Sequence, residues 1–237
     1  MNMKKNGFTL VELIIAIAVG LLILTAIYAS INMAQRSSAS VGRKVTTQQD
    51  ARAVLDLMAM EIRMASYNPL VSPATWLSIP TIACTSMGSF SPVKANKGIQ
   101  TVLGTPNANT IIIAMDLNGD GIIGPPGSSE YIEYSYNATD KTITRNVSCL
   151  GDTTILGGTG NATMVRNDDQ INPATNNKPM PLFQYFDSTG SVTASITAIR
   201  RVRITIVADT ENPDSLTNKA RRMTYTTDVL VKNHAFN

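Results

Sequence analysis

The chain has 237 residues, 43% of them hydrophobic, 16% charged and 5% aromatic, with a formal net charge of +3. That composition excludes a wholly disordered chain and gives too little positive charge for an electrostatic nucleic-acid binder. One histidine, His234, and two cysteines, Cys84 and Cys149, argue against a multi-histidine metal centre, a four-cysteine zinc site or a Ser-His-Asp triad.

Lys4 and Lys5 precede an apolar run, Phe8 to Ile31, whose only charge is Glu12. As a helix those 24 residues span roughly 36 Å, enough to cross a hydrocarbon core of about 30 Å. The lysines ahead of the run predict a cytoplasmic amino terminus. A removable secretory signal has small residues at a cleavage site after its apolar stretch. Here the run passes without a break into further helix. A carboxylate inside a membrane helix costs about 2.5–3.5 kcal/mol at the centre and less near an end, so Glu12 calls for a cationic partner.

Beyond the apolar run the helical period continues. Val41, Val45, Gln48, Ala51, Leu55, Met58, Ile62 and Ala65 step by three or four on one face, with Gln48 the polar exception. Arg43, Lys44, Asp50, Arg52, Asp56, Glu61 and Arg63 are assigned to the other faces. Asn68-Pro69 predicts the end of a rod from Phe8 to about Tyr67.

Residues 69–108, rich in Pro, Ser and Thr, read as loop with short extended pieces, Trp76 being a packing anchor. Strand patterns follow at Asn109-TIIIAMD, at EYIEYSY, and at KTITRNV beyond the turn Asn137-Ala138-Thr139-Asp140. Residues 151–180 read again as loop. LFQYFD, the turn Ser188-Thr189-Gly190, ITAIRRVRITIVAD and RMTYTTDVLVKN supply the last strands, with Val202, Ile204 and Ile206 alternating against Arg201, Arg203 and Thr205. The expected class is α+β, one long helix and then antiparallel sheet.

The segment KKNGFTLVELIIAIAVGLLIL resembles the class III leader and first helix of type IV pilins and type II secretion pseudopilins. The resemblance implies that a prepilin peptidase cuts between Gly7 and Phe8 and methylates the new amine of Phe8. It also implies that Glu12 pairs with that amine on a neighbouring subunit. The implied organisation is a leader at 1–7, a membrane and filament-core half-helix at 8–35, an amphipathic half at 36–68 and a β head at 69–237. DARAVLDLMAMEIRMASYNP, DLNGDG before EYIEYSY, and the closing strand pair resemble PilW-type minor pilins and J-type pseudopilins. No Pro lies between Phe8 and Gln35, and the cysteines do not bracket a short C-terminal loop; both depart from major pilins. The resemblance implies a non-enzymatic subunit of the inner membrane with its head in the periplasm, later in a pilus at the cell surface. Its implied partners are other pilins or pseudopilins, the peptidase and the assembly platform. A type II secretion pseudopilin, a tip adhesin or a DNA-uptake module are the alternatives.

Three further features stand beside that reading. Asp116, Asn118 and Asp120, Gly121 and the carbonyl of Ile122 match the first two thirds of an EF-hand-type calcium loop. Gly127 stands where the bidentate Glu belongs, so Glu130 or Glu133 would complete the shell. The same residues also suit an Asn-Gly/Asp-Gly turn. Cys84 and Cys149, in an oxidising compartment, predict one structural disulfide, two buried thiols being the alternative. Arg200, Arg201, Arg203, Arg221 and Arg222 form either a basic patch or, as the lack of interleaved aromatics favours, ordinary edge-strand charge.

Overall fold

The computed structural model describes residues 7–69, 98–101, 105–120, 123, 128–213 and 219–234. A capping box opens α1 (Leu10–Arg63): the Thr9 hydroxyl accepts the Glu12 N–H while the Glu12 carboxylate accepts the Thr9 N–H. With no Pro in its 54 residues, α1 runs unbroken for about 81 Å. Its first half is not buried among the described residues, and apolar side chains from Leu10 to Met33 stand exposed. Burial begins at Thr47, whose hydroxyl donates to the Ala162 carbonyl at 3.1 Å. Ala51, Leu55, Met58, Ile62 and Ala65 are buried as the period predicts. Val41 and Val45 are not, because the head reaches down only as far as Thr47.

Two further expectations about α1 are corrected. The helix ends at Arg63, earlier than Asn68-Pro69, because Ser66 takes a left-handed φ of +65° and gives its N–H to Ala114 at 2.9 Å. Glu61, assigned from sequence to an outer face, is buried. Its carboxylate meets the Arg145 guanidinium as a fork, Nη2 to Oε1 at 2.6 Å and Nε to Oε2 at 3.1 Å, and also accepts the Tyr134 hydroxyl. Paired in this way, the charge can sit between helix and sheet. Burial, and next the Glu61 carboxylate, hold the Tyr134 hydroxyl protonated far above its usual range.

The head is antiparallel as the sequence predicts, and its strands divide into two sheets. The first has the order β1 (Ile99–Gln100), β2 (Thr110–Ala114), β3 (Tyr131–Asn137), β4 (Thr142–Val147) and β5 (Asp152–Gly157). The predicted β3–β4 turn is present, with Asn137 Oδ1 accepting the N–H groups of Thr139 at 2.8 Å and Asp140 at 3.1 Å. The second sheet centres on β8 (Arg201–Thr210). β9 (Arg222–Leu230) pairs along one edge, and β6 (Thr163–Val165) and β7 (Phe183–Phe186) lie end to end on the other.

β5 and β6 occupy a stretch read from sequence as loop. β5 buries only its last two residues and β6 is three residues long, so neither shows an alternating pattern long enough to detect. Gly157 closes β5 at φ +86°, where a Cβ would meet the Lys141 carbonyl at 2.1 Å. No other residue fits there without moving the backbone. One core joins all layers: Met58 and Ile62 of α1 pack in a cluster with Ile111, Tyr134 and Ile143 of the first sheet and Ile204 and Ile206 of the second.

Candidate processing and assembly site

Gly7, Phe8 and Thr9 lie ahead of the first helical turn, with Phe8 90% exposed. A Cβ on Gly7 would meet nothing within 4 Å, so the chain's own packing makes no demand for glycine there. The Gly7–Phe8 bond is thus outside regular structure, two residues before Leu10, where a protease can reach it. Lys4 and Lys5 lie outside the described residues.

Glu12 is held by the cap. Its Oε2 accepts from the Thr9 N–H at 2.9 Å and the Thr9 hydroxyl at 3.0 Å, while Oε1 has no partner among the described residues. The Thr-x-x-Glu pattern that does this is the sequence signature of a capping box, so Thr9 is legible before folding. The arrangement fixes one carboxylate oxygen beside the helix N-terminus and leaves the other without a partner among the described residues. The helix that Glu12 opens is long and apolar enough to cross a membrane, and its apolar stretch is not buried among the described residues.

At the predicted calcium loop, Asp116 Oδ1 accepts the Gly119 N–H at 2.7 Å and Asn118 Oδ1 accepts the Asp120 N–H at 2.9 Å. Glu130, almost fully buried, does fold back: its Oε1 accepts the N–H groups of Leu117 at 3.1 Å and Asn118 at 3.3 Å. Gly121, Ile122 and Gly127 lie outside the described residues. The oxygen donors have the chemistry a hard cation takes. Asp116, Asn118 and Glu130 here accept backbone N–H groups of the turn itself, and Asp120 Oδ2 accepts the Asn118 side-chain amide at 2.9 Å. No group of three or more His, Cys, Asp or Glu among the described residues is placed to hold a metal. Cys149 follows β4 at φ +65°, and Cys84 lies outside the described residues.

Three of the C-terminal arginines, Arg201, Arg203 and Arg222, face acids, whereas the Arg200 guanidinium donates to the carbonyls of Thr197 and Ile199. Arg201 and Arg203 share Asp228 at 2.7 Å each, stacked over the Phe186 ring, and Arg222 forks onto Asp209 at 2.8 Å. For these three the pairs match the edge-charge reading rather than an open basic patch. The single histidine is better placed than its position near the end implied. His234 Nε2 donates to the Ile196 carbonyl at 2.9 Å, so Nδ1 accepts from the Ser66 hydroxyl at 2.8 Å, which in turn accepts the Gly98 N–H at 3.0 Å. Ser66 and His234 are both buried, and this relay ties the helix end to the turn Lys232–His234.

Comparison with protein families matches residues 2–28 to the family described as Prokaryotic N-terminal methylation motif. Comparisons with curated proteins and with solved structures gave no match. Residues 2–28 thus carry a prokaryotic N-terminal methylation motif, and the chain that follows is a pilin-like α+β fold of one long apolar helix packed against antiparallel sheets.

Proposed function

We propose that this protein is a minor pilin of a type IV pilus, of the PilW type, whose work is assembly rather than catalysis. A prepilin peptidase cuts between Gly7 and Phe8 and methylates the Phe8 amine. The cut creates a cation at the mouth of the apolar helix. Glu12 Oε1 of one subunit accepts the Phe8 amine of the next, and the pair, once out of water, is costly to separate. The bare helix surface exchanges lipid for neighbouring helices, and the head helps to start or support the filament. The observation that carries this reading is the methylation motif over residues 2–28 running into an apolar helix that none of the described residues covers. A structural calcium ion at Asp116, Asn118, Asp120, Glu130 and the Ile122 carbonyl, and a Cys84–Cys149 disulfide, belong to the same proposal.

Mass spectrometry of the protein from its native membrane is expected to find a mature chain that starts at N-methylated Phe8. Glu12→Ala is expected to insert and be cleaved yet fail to enter filaments. A different mature start, or normal piliation by the variant, removes the proposal. Deletion that abolishes protein export while leaving pili intact would replace it with the type II secretion reading.

A further inference from the structure

β9 is a nine-residue edge strand with an unusually open side. Its register with β8 is continuous from Arg222↔Asp209 to Leu230↔Arg201, with no bulge. The ladder's ends fix which groups point where: Arg221 accepts from Thr210, and Val231 donates to Arg200. Odd-numbered residues of β9 therefore face β8, and the even-numbered ones, Arg222, Thr224, Thr226, Asp228 and Leu230, aim their N–H and C=O groups outward. Those outward groups have no partner among the described residues, and all five side chains are exposed. Edge strands are ordinarily blunted by Pro, Lys, a bulge or a covering element. β9 contains no Pro and no Lys, whereas β5, at the edge of the other sheet, carries a register shift.

We infer that this edge pairs, antiparallel, with β9 of a second copy of the chain, centred on Tyr225. The argument is charge and parity together. An outward residue must meet an outward residue, so even numbers pair with even numbers. Centred on Tyr225, Arg222 meets the partner's Asp228 and Thr224 meets the partner's Thr226, and the twofold axis repeats both pairs. Arg222 and Asp228 are the only charged residues of β9, and this register alone sets each opposite its complement. Each already has a neighbour on β8, Asp209 for Arg222 and Arg203 for Asp228. The pairing therefore builds a four-strand row of alternating sign: Arg203, Asp228, then Arg222 and Asp209 of the second copy. Opposite charges across strands stabilise a pairing and like charges oppose it.

The direction of α1 says where such a pair forms. Asp50 sits beside Thr163 at the level where β9 starts, and Ser66 meets His234 just past its end. α1 thus runs the same way as β9. An antiparallel partner turns its own α1 around, and the two apolar spans leave on opposite sides. The pair joins heads from two membranes or two filaments, not two copies side by side in one bilayer.

Full-length protein reconstituted into phospholipid vesicles tests this, with vesicle clustering followed by light scattering. Wild-type vesicles are expected to cluster. Arg222→Asp alone or Asp228→Arg alone is expected to slow clustering about tenfold or more, since like charges then face each other. Vesicles bearing the first variant mixed with vesicles bearing the second are expected to recover, because both facing pairs become complementary again. Damage to the head by either substitution would not be repaired by mixing. Thr226→Pro removes an outward N–H that β8 does not use and is expected to stop clustering with the unfolding temperature kept. Wild-type vesicles that stay apart, single variants that cluster like wild type, or mixtures that do not recover would each overturn the inference.

Discussion

Glu133 shows what one side chain contributes. It lies on β3 in a row with Asn146 of β4 and Asp152 of β5, and only 8% of it is exposed. Asn146 Nδ2 donates to Asp152 Oδ1 at 2.9 Å. Burial, and secondarily the Asp152 charge, push the Glu133 carboxyl up from 4.5 to about 7. Between those two values the folded chain holds a proton that the unfolded chain has released. The contribution of Glu133 to stability is therefore full below pH 4.5 and is lost as pH rises through 7. The loss is on the order of 3 kcal/mol. Unfolding midpoints at pH 5 and pH 8 check this. Wild type is expected to lose stability over that range relative to Glu133→Gln, which should stand above wild type at pH 8. Equal slopes for the two proteins would show that Glu133 is ionised throughout.

At the scale of elements, β8 depends on one residue that no strand pattern reveals. β7 covers its edge at Arg201–Ile204 and β6 at Ala208–Thr210. Asn167 bridges the gap, its Nδ2 donating to the Thr205 carbonyl at 2.7 Å and its Oδ1 accepting the Val207 N–H at 2.9 Å. Asn167→Ala would leave both groups buried without partners, a cost of about 2–4 kcal/mol. Thermal unfolding should show the loss, and an unchanged midpoint would mean that water replaces the amide. The same gap explains what could be read beforehand. β2, β3, β4 and β7 to β9 announce themselves through apolar runs or alternation between turn residues. β5 and β6 are short and polar, and they become strands only because a neighbouring strand offers an edge. Glu61 was misassigned for a related reason: its partners Arg145 and Tyr134 are more than seventy residues away along the chain.

Across the whole molecule, legibility divides between the two halves of α1. The proposed processing site is linear, Gly7 to Glu12 in one helix start, so adjacent residues describe it. The head is assembled from distant contacts, such as Ser66 with His234, and its pattern emerges only on folding. Two proposed staples act on that head. A Cys84–Cys149 bond closes about 65 residues, worth about 4 kcal/mol in the chain-entropy model. A calcium ion at the Asp116–Glu130 turn, at a hundred times its dissociation constant, adds about 2.7 kcal/mol. For a chain of this length each kcal/mol moves the melting temperature by about 2–4 °C. Melting the full-length protein with and without reductant, and with and without a calcium chelator, separates the two. Reduction is expected to lower the midpoint by about 8–16 °C and chelation by about 5–11 °C. A midpoint indifferent to reductant, with free thiols found by mass mapping, removes the disulfide and leaves calcium standing. Indifference to the chelator removes the ion and leaves Asp116 and Glu130 as anchors for the backbone amides they already hold. The thiol bond shortens the unfolded chain, whereas the ion binds only the folded one, so neither result can stand in for the other.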